Sequence, residues 1–266
     1  LGLPATNDNC GVSGSVNNAP SAFPLGNTTV TWTVTDVNGN TQTCNQTVTV
    51  NPYIAQVNQP GNQTVCNGGN TSLVSFSSTP AIPGVIYNWT NNNLGIGLAG
   101  SGSGNINSFT AVNNGNTVQV ATIIVTPVTS CINSAGASKT ITITVNPTPV
   151  VNQPVNQGPL CNNAATATIT FTTSNSGPGT ITYTWTNDSP AIGLAANGTG
   201  NSIPSFVVNN PGTSSNLVST ITVTPHYTYD NTTCDGVPKI FTITVRPSSG
   251  GNITGAANLE ICSGSD

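Results

Sequence analysis

Residues 121–127 read ATIIVTP and residues 140–147 read TITITVNP. In both, every second residue is apolar: Ala121, Ile123 and Val125 in the first, Ile141, Ile143 and Val145 in the second. A period of two places these side chains on one face of a strand, and the intervening Thr residues suit the half-solvated opposite face. Almost the same text returns downstream as STITVTP at 219–225 and FTITVRP at 241–247. No stretch of ten or more residues carries apolar positions at helical spacing. The reading is an all-β protein.

Outward from these strands the duplication continues. VNQPGNQTVC, ending at Cys66, returns as VNQPVNQGPLC, ending at Cys161. Tyr87-Asn88-Trp89-Thr90-Asn91 returns as Tyr183-Thr184-Trp185-Thr186-Asn187, and Ile96-Gly97-Leu98-Ala99 as Ile192-Gly193-Leu194-Ala195. A Ser-Phe pair follows each, at Ser108-Phe109 and Ser205-Phe206. The offset is about 95 residues at the start and drifts towards about 100, so insertions fall in loops between repeated strands.

The seven cysteines follow this register. Cys66, Cys161 and Cys262 occupy a first position, each opening a repeat, and Cys131 and Cys234 occupy a second. The expectation is one disulfide inside each repeat, Cys66–Cys131 and Cys161–Cys234. Cys262 would be unpaired, the first cysteine of a further repeat. Cys10 and Cys44 would pair within residues 1–51, a different unit whose alternating strands flank an Asn38-Gly39 hairpin turn. That unit reads as the later part of a larger module, and the chain as a window from a longer array. Structural disulfides imply an oxidising compartment outside the cytoplasm.

Two families share these motifs. PATNDNCG (4–11) followed by FPLGNTTVTWTVTDVNGNTQTC (23–44) resembles the C-terminal half of a hyalin repeat (HYR) domain. The units carrying Y-x-W-T-N, I-G-L-A and T-I-T-V-x-P resemble PKD-like domains of the Bacteroidota. Both resemblances imply immunoglobulin-like sandwiches in very large cell-surface proteins. The combination is similar to the gliding-motility adhesins exported by the type IX secretion system. Independently, about seven short alternating segments per hundred residues and a Cys…Trp…Cys order suggest the same class. The expected organisation is residues 1–51 as the HYR-like part, 52–147 and 148–247 as PKD-like modules, and 248–266 as a linker and the start of another module. Proline-bearing joints at Asn51-Pro52, Asn146-Pro147-Thr148-Pro149 and Arg246-Pro247 predict tandem modules arranged as an extended, semi-rigid rod.

Charge excludes several functions. Only 4% of residues are charged, against roughly a quarter in an average soluble domain. Lys139, Lys239 and Arg246 are the only strong bases and lie far apart, so no patch exists to neutralise nucleic-acid phosphates. Between Asp36 and Asp188 there is no Asp or Glu. The first repeat therefore lacks a carboxylate Ca²⁺ site, a paired-carboxylate hydrolase and a catalytic triad. His226, the single histidine, lies with Asp230 and Asp235 on what reads as a Tyr-rich loop around Cys234, without the partners a zinc site needs. Trp32, Trp89 and Trp185 read as core aromatics packed in a sandwich rather than as sugar platforms.

No enzyme activity, metal or cofactor is expected. The sequence points to a non-catalytic structural and adhesive repeat region of a bacterial surface adhesin or filament, outer membrane-associated, without direct membrane insertion in this segment. Its partners would be neighbouring modules and surface polysaccharide or other cell-surface components, not nucleic acid. The alternatives are spacer modules of a secreted polysaccharide-degrading enzyme and a self-associating sheath subunit.

Overall fold

The computed structural model describes residues 1–50, 55–79, 81–129, 134–212 and 214–248. Residues 249–266, with Cys262, and residues 130–133, with Cys131, lie outside the described residues. The chain separates into two compact units, one of residues 1–56, 78–86 and 127–137, the other of residues 57–77, 87–126 and 138–266. The fold is all-β, built of immunoglobulin-like β-sandwich modules; its only helical pieces among the described residues are two single 3₁₀ turns.

In the first unit, β1 (Val12–Asn17), β2 (Gly26–Asp36) and β3 (Thr41–Val50) form an antiparallel sheet in the order β1-β2-β3. The β2–β3 hairpin closes at Asn38-Gly39, with Gly39 at φ +87°. The Asp36 carboxylate accepts from the backbone N–H groups of Asn38 and Asn40 and from the Asn40 side-chain amide. The Asn40 amide, the largest influence, holds this carboxyl below its usual range, with backbone donors adding to it.

The first repeat contributes β4 (Gln56–Val57), β5 (Gln63–Cys66), β6 (Ser78–Thr79) and β7 (Val85–Asn91). It continues with β8 (Ser101–Ser103), β9 (Gln119–Thr129), β10 (Ser134–Ala135) and β11 (Lys139–Asn146). The second repeat contributes β12 (Gln157–Leu160), β13 (Ile169–Thr170), β14 (Thr180–Asn187) and β15 (Asn197–Thr199). It ends with β16 (Ser202–Ile203), β17 (Leu217–Tyr229), β18 (Thr232–Asp235) and β19 (Lys239–Val245).

The main sheets have the same order, β5-β11-β9-β7-β8 with β10 on β9, and β12-β19-β17-β14-β15 with β18 on β17. β5 on β11 and β12 on β19 are parallel, while the other registered pairs of these sheets run antiparallel. A second layer covers each main sheet: bridges Asn70–Thr110 and Val74–Ile106 in the first repeat, β13–β16 and Ala165–Val207 in the second. The alternating residues of the central strands point into the space between. Ile123, Val125, Ile143 and Val145 are fully buried, as are Ile221, Val223, Ile243 and Val245.

Asparagine and glutamine do much of the local construction. Ahead of β5, Gln59 donates to the Thr140 carbonyl and Asn62 accepts from the Thr142 N–H; ahead of β12, Gln153 and Asn156 treat Ile240 and Thr242 in the same way. The repeated VNQPxNQ thus satisfies the backbone of β11 and β19 where the parallel strand has not yet begun. Asn91 and Asn187 donate to the Leu98/Ala99 and Leu194/Ala195 carbonyls, which ties the Y-x-W-T-N strand to the I-G-L-A turn. That turn is a 3₁₀ piece closed by Gly97 at φ +88° or Gly193 at φ +98°, burying Ile96 and Ile192 completely.

Candidate functional site

The chemistry on which a role can be built is concentrated where the two repeats meet, inside the second unit. Cys66 ends β5 opposite Asn146, the last residue of β11. Cys234 lies in β18 opposite Tyr227, on the hairpin of the second repeat. The two sulfurs are bonded, with Cα atoms 5.6 Å apart across a sequence separation of 168.

This bond replaces both expected intra-repeat pairs. β9 runs from Gln119, opposite Val145, to Val125, opposite Lys139. By Val125 the strand is about 20 Å from the level of Cys66 at roughly 3.4 Å per residue, and Cys131 lies further along the chain, outside the described residues. The second repeat gives the same geometry in full. Leu160 is opposite Val245, which is opposite Leu217, whereas Cys234 is opposite Tyr227. Ten residues of β17 separate those levels by about 34 Å, far beyond the roughly 7 Å limit for a disulfide. Cys161 is itself disulfide-bonded, but not to Cys234. In the second repeat the two positions thus lie at opposite ends of one sheet rather than on facing sheets, and Cys234 meets the first-position cysteine of the preceding repeat across the junction.

The expected Cys10–Cys44 bond is also overturned: both are exposed free thiols. Cys44 is opposite Trp32, while β1 begins with Val12 opposite Asp36, four residues along β2 and one strand further over. The register sets the level of Val12 about 13 Å from that of Cys44.

Around the junction bond several polar groups are paired, although the buried Asn146 Oδ1 has no hydrogen-bond partner. Asn146, fully buried, donates to the Tyr229 and Thr232 carbonyls of the second repeat. Thr64 donates its hydroxyl to Asp230, and Thr232 donates to the Thr64 carbonyl. Asn116 donates to the Ser174 carbonyl and accepts from the Ser176 N–H. Asn175 donates to the Thr148 carbonyl and accepts from the Val150 N–H, fixing the Pro-bearing joint. The joint is held by directed hydrogen bonds as well as by the covalent bond.

His226 lies in β17, not in a loop. The hairpin turns at Asp230-Asn231, at φ +48° and +57°, a two-residue turn of the primed type that matches strand twist. His226 Nδ1 is 2.6 Å from Asp235 Oδ1 and its Nε2 is 2.9 Å from Thr184 Oγ1. A hydroxyl, an imidazole and a carboxylate in series have the order of a nucleophilic triad. Here they span three strands of one sheet, joined by the β14–β17 and β17–β18 ladders. Their effect is to tie β14, β17 and β18 together.

Trp32, Trp89 and Trp185 are 4%, 7% and 7% exposed and offer no ring face to a sugar. Trp32 donates its indole N–H to Gln46. Among the described residues no group of three or more His, Cys, Asp or Glu converges on a metal-sized space, and no helix is long and apolar enough to cross a membrane.

Known proteins place part of this chain. Residues 3–50 match the HYR domain family. No curated protein matches the sequence. Among solved structures, the chain is similar to extracellular domains 3–5 of Drosophila OTK, with 12% identity and a TM-score of 0.38, covering 82% of this chain and 70% of that one. It is similar to mouse cadherin-23 EC22–24, with 11% identity and a TM-score of 0.33, covering 82% and 74%. Domains A168–A170 of titin give 13% identity and a TM-score of 0.34, covering 80% and 73%.

Proposed function

We propose that this chain is a non-catalytic structural and adhesive segment of a long bacterial cell-surface protein, of the gliding-motility adhesin kind, in which successive modules form a semi-rigid stalk. On this reading residues 1–51 are the HYR-like part, 52–147 and 148–247 are the two repeated modules, and 248–266 lead into another. The observation that carries it is the Cys66–Cys234 bond between consecutive repeats. A protein that works at one site gains nothing from covalently joining its spacers, whereas a stalk that transmits load or holds a binding surface away from the cell does. The bond also favours an oxidising compartment outside the cytoplasm. A surface with 4% charged residues and no basic cluster fits contact with other modules and with neutral surface polysaccharide rather than with nucleic acid.

Deletion of residues 57–245 from the full-length protein in its own cells tests this. Export with loss of attachment or gliding is the expected result. Unimpaired attachment together with loss of a polysaccharide-degrading activity would assign the repeats to a secreted enzyme instead.

A further inference from the structure

The position of the junction bond in the chain has a mechanical consequence. Cys66 belongs to an early strand of the first repeat and Cys234 to a late hairpin of the second, so the bond closes a ring over nearly all of both sandwiches and their joint. We infer that Cys66–Cys234 is a tension bypass that makes the two repeats one load-bearing element. This rests on the reading of the chain as a stalk under load.

The path follows from the connectivity. Tension entering ahead of β5 runs along that strand to Cys66, crosses the sulfurs to Cys234, and leaves through β19. The covalent line therefore omits residues 67–233, which hold most of the cores of both repeats and the Pro-bearing joint. What resists along that line is the parallel β5–β11 ladder, Gln63 to Cys66 against Ile143 to Asn146, and the β19–β17 ladder, Lys239 to Val245 against Val223 to Leu217. In both, a pull along the strand loads the ladder's hydrogen bonds together rather than one after another. Even after both ladders yield, the ring cannot open.

The test is single-molecule stretching of the whole 266-residue chain held by its two ends, without and then with reductant. Residues outside the bond, 1–65 and 235–266, set a ceiling on the oxidised release of about 320–350 Å at roughly 3.3–3.6 Å per residue. The expected result is a release below that ceiling, rising well beyond it when reductant is added. The oxidised Cys234→Ser variant passes the ceiling without reductant. An oxidised wild-type chain that releases more than about 350 Å overturns the inference, whether or not cells depend on the protein for attachment. A measured ceiling in a protein that cells do not need for attachment would leave the bypass as a property of the chain and remove the adhesive reading.

Discussion

The indole of Trp89 occupies the space that a side chain at residue 102 would need. The two residues are opposite each other in the β7–β8 pair, and a Cβ built on Gly102 would lie 2.3 Å from Trp89 Cζ2. Trp185 and Gly198 repeat the relationship at the same 2.3 Å.

Gly102→Ala should therefore destabilise the first repeat by about 1–3 kcal/mol, because ring and edge strand must both move. Gly198→Ala should do the same in the second. Gly61→Ala, with nothing within 4 Å of the new methyl, should be neutral or slightly stabilising. Chemical denaturation of the three variants measures this. Equal midpoints for Gly61→Ala and Gly102→Ala would show that the ring yields freely.

Much of the fold was legible because alternation of period two is written directly into residues 121–127 and 140–147, and into their repeats. Trp89 and Trp185 were legible as core from their place in a strand between two cysteines, the arrangement common in such sandwiches. The disulfide was not. Cysteine register within a repeat specifies equivalent positions but not the end of the sheet at which each lies. That depends on β5 running parallel to β11, a pairing that no local pattern announces. His226 reads as a loop residue because its turn, Asp230-Asn231, lacks the glycine that usually marks a two-residue hairpin. Nor does any local pattern mark which asparagines turn inward, as the buried and bonded Asn113, Asn146, Asn187 and Asn210 do.

A second prediction concerns those asparagines. Asn113 donates to the Thr117 and Val145 carbonyls and accepts from the Gly115 N–H, and its own backbone N–H is taken by Asn67. Asn113→Ala should cost about 1–3 kcal/mol by stranding buried carbonyls. Asn113→Asp keeps the shape but cannot donate when ionised, so it should be worse at pH 7 than at pH 3. Urea titration at both pH values decides it. An Asp variant equal to wild type at pH 7 would mean that the donated bonds contribute nothing.

A third concerns alkaline pH. Burial pushes the Tyr183 phenol above its usual value, with a hydrogen bond from Thr173 pulling back. A folded-state value above the unfolded one, about 10, gives a contribution fully present below that pH and lost as pH rises through the folded value. Above about pH 10 the wild type should lose stability more steeply than Tyr183→Phe. Parallel loss in both proteins would place the alkaline weakness elsewhere.

The last prediction separates covalent from ionic stabilisation. The whole chain holds 3 Lys and Arg and 7 Asp and Glu, so added salt has little to screen. The Cys66–Cys234 ring removes unfolded-state entropy worth about 5 kcal/mol in the chain-entropy model for a loop of this length. Spread over a unit of this size, that is about 10–20 °C in midpoint. Thermal unfolding should therefore be nearly the same in low and high NaCl and fall by at least that amount with reductant, which also opens the bond at Cys161. Trypsin should report the same difference. Arg246 is followed by Pro247, and Lys139 and Lys239 begin β11 and β19, where the backbone is held in ladders opposite Val125 and Val223. Cleavage at the two lysines then requires local opening, which the closed ring opposes at Lys139, inside it, while Lys239 lies beyond Cys234 and is guarded by the β17–β19 ladder. The oxidised chain should survive digestion at temperatures where the reduced chain is cut. Digestion rates that respond to salt and not to reductant would assign the stability to charge, and the junction bond would lose its role.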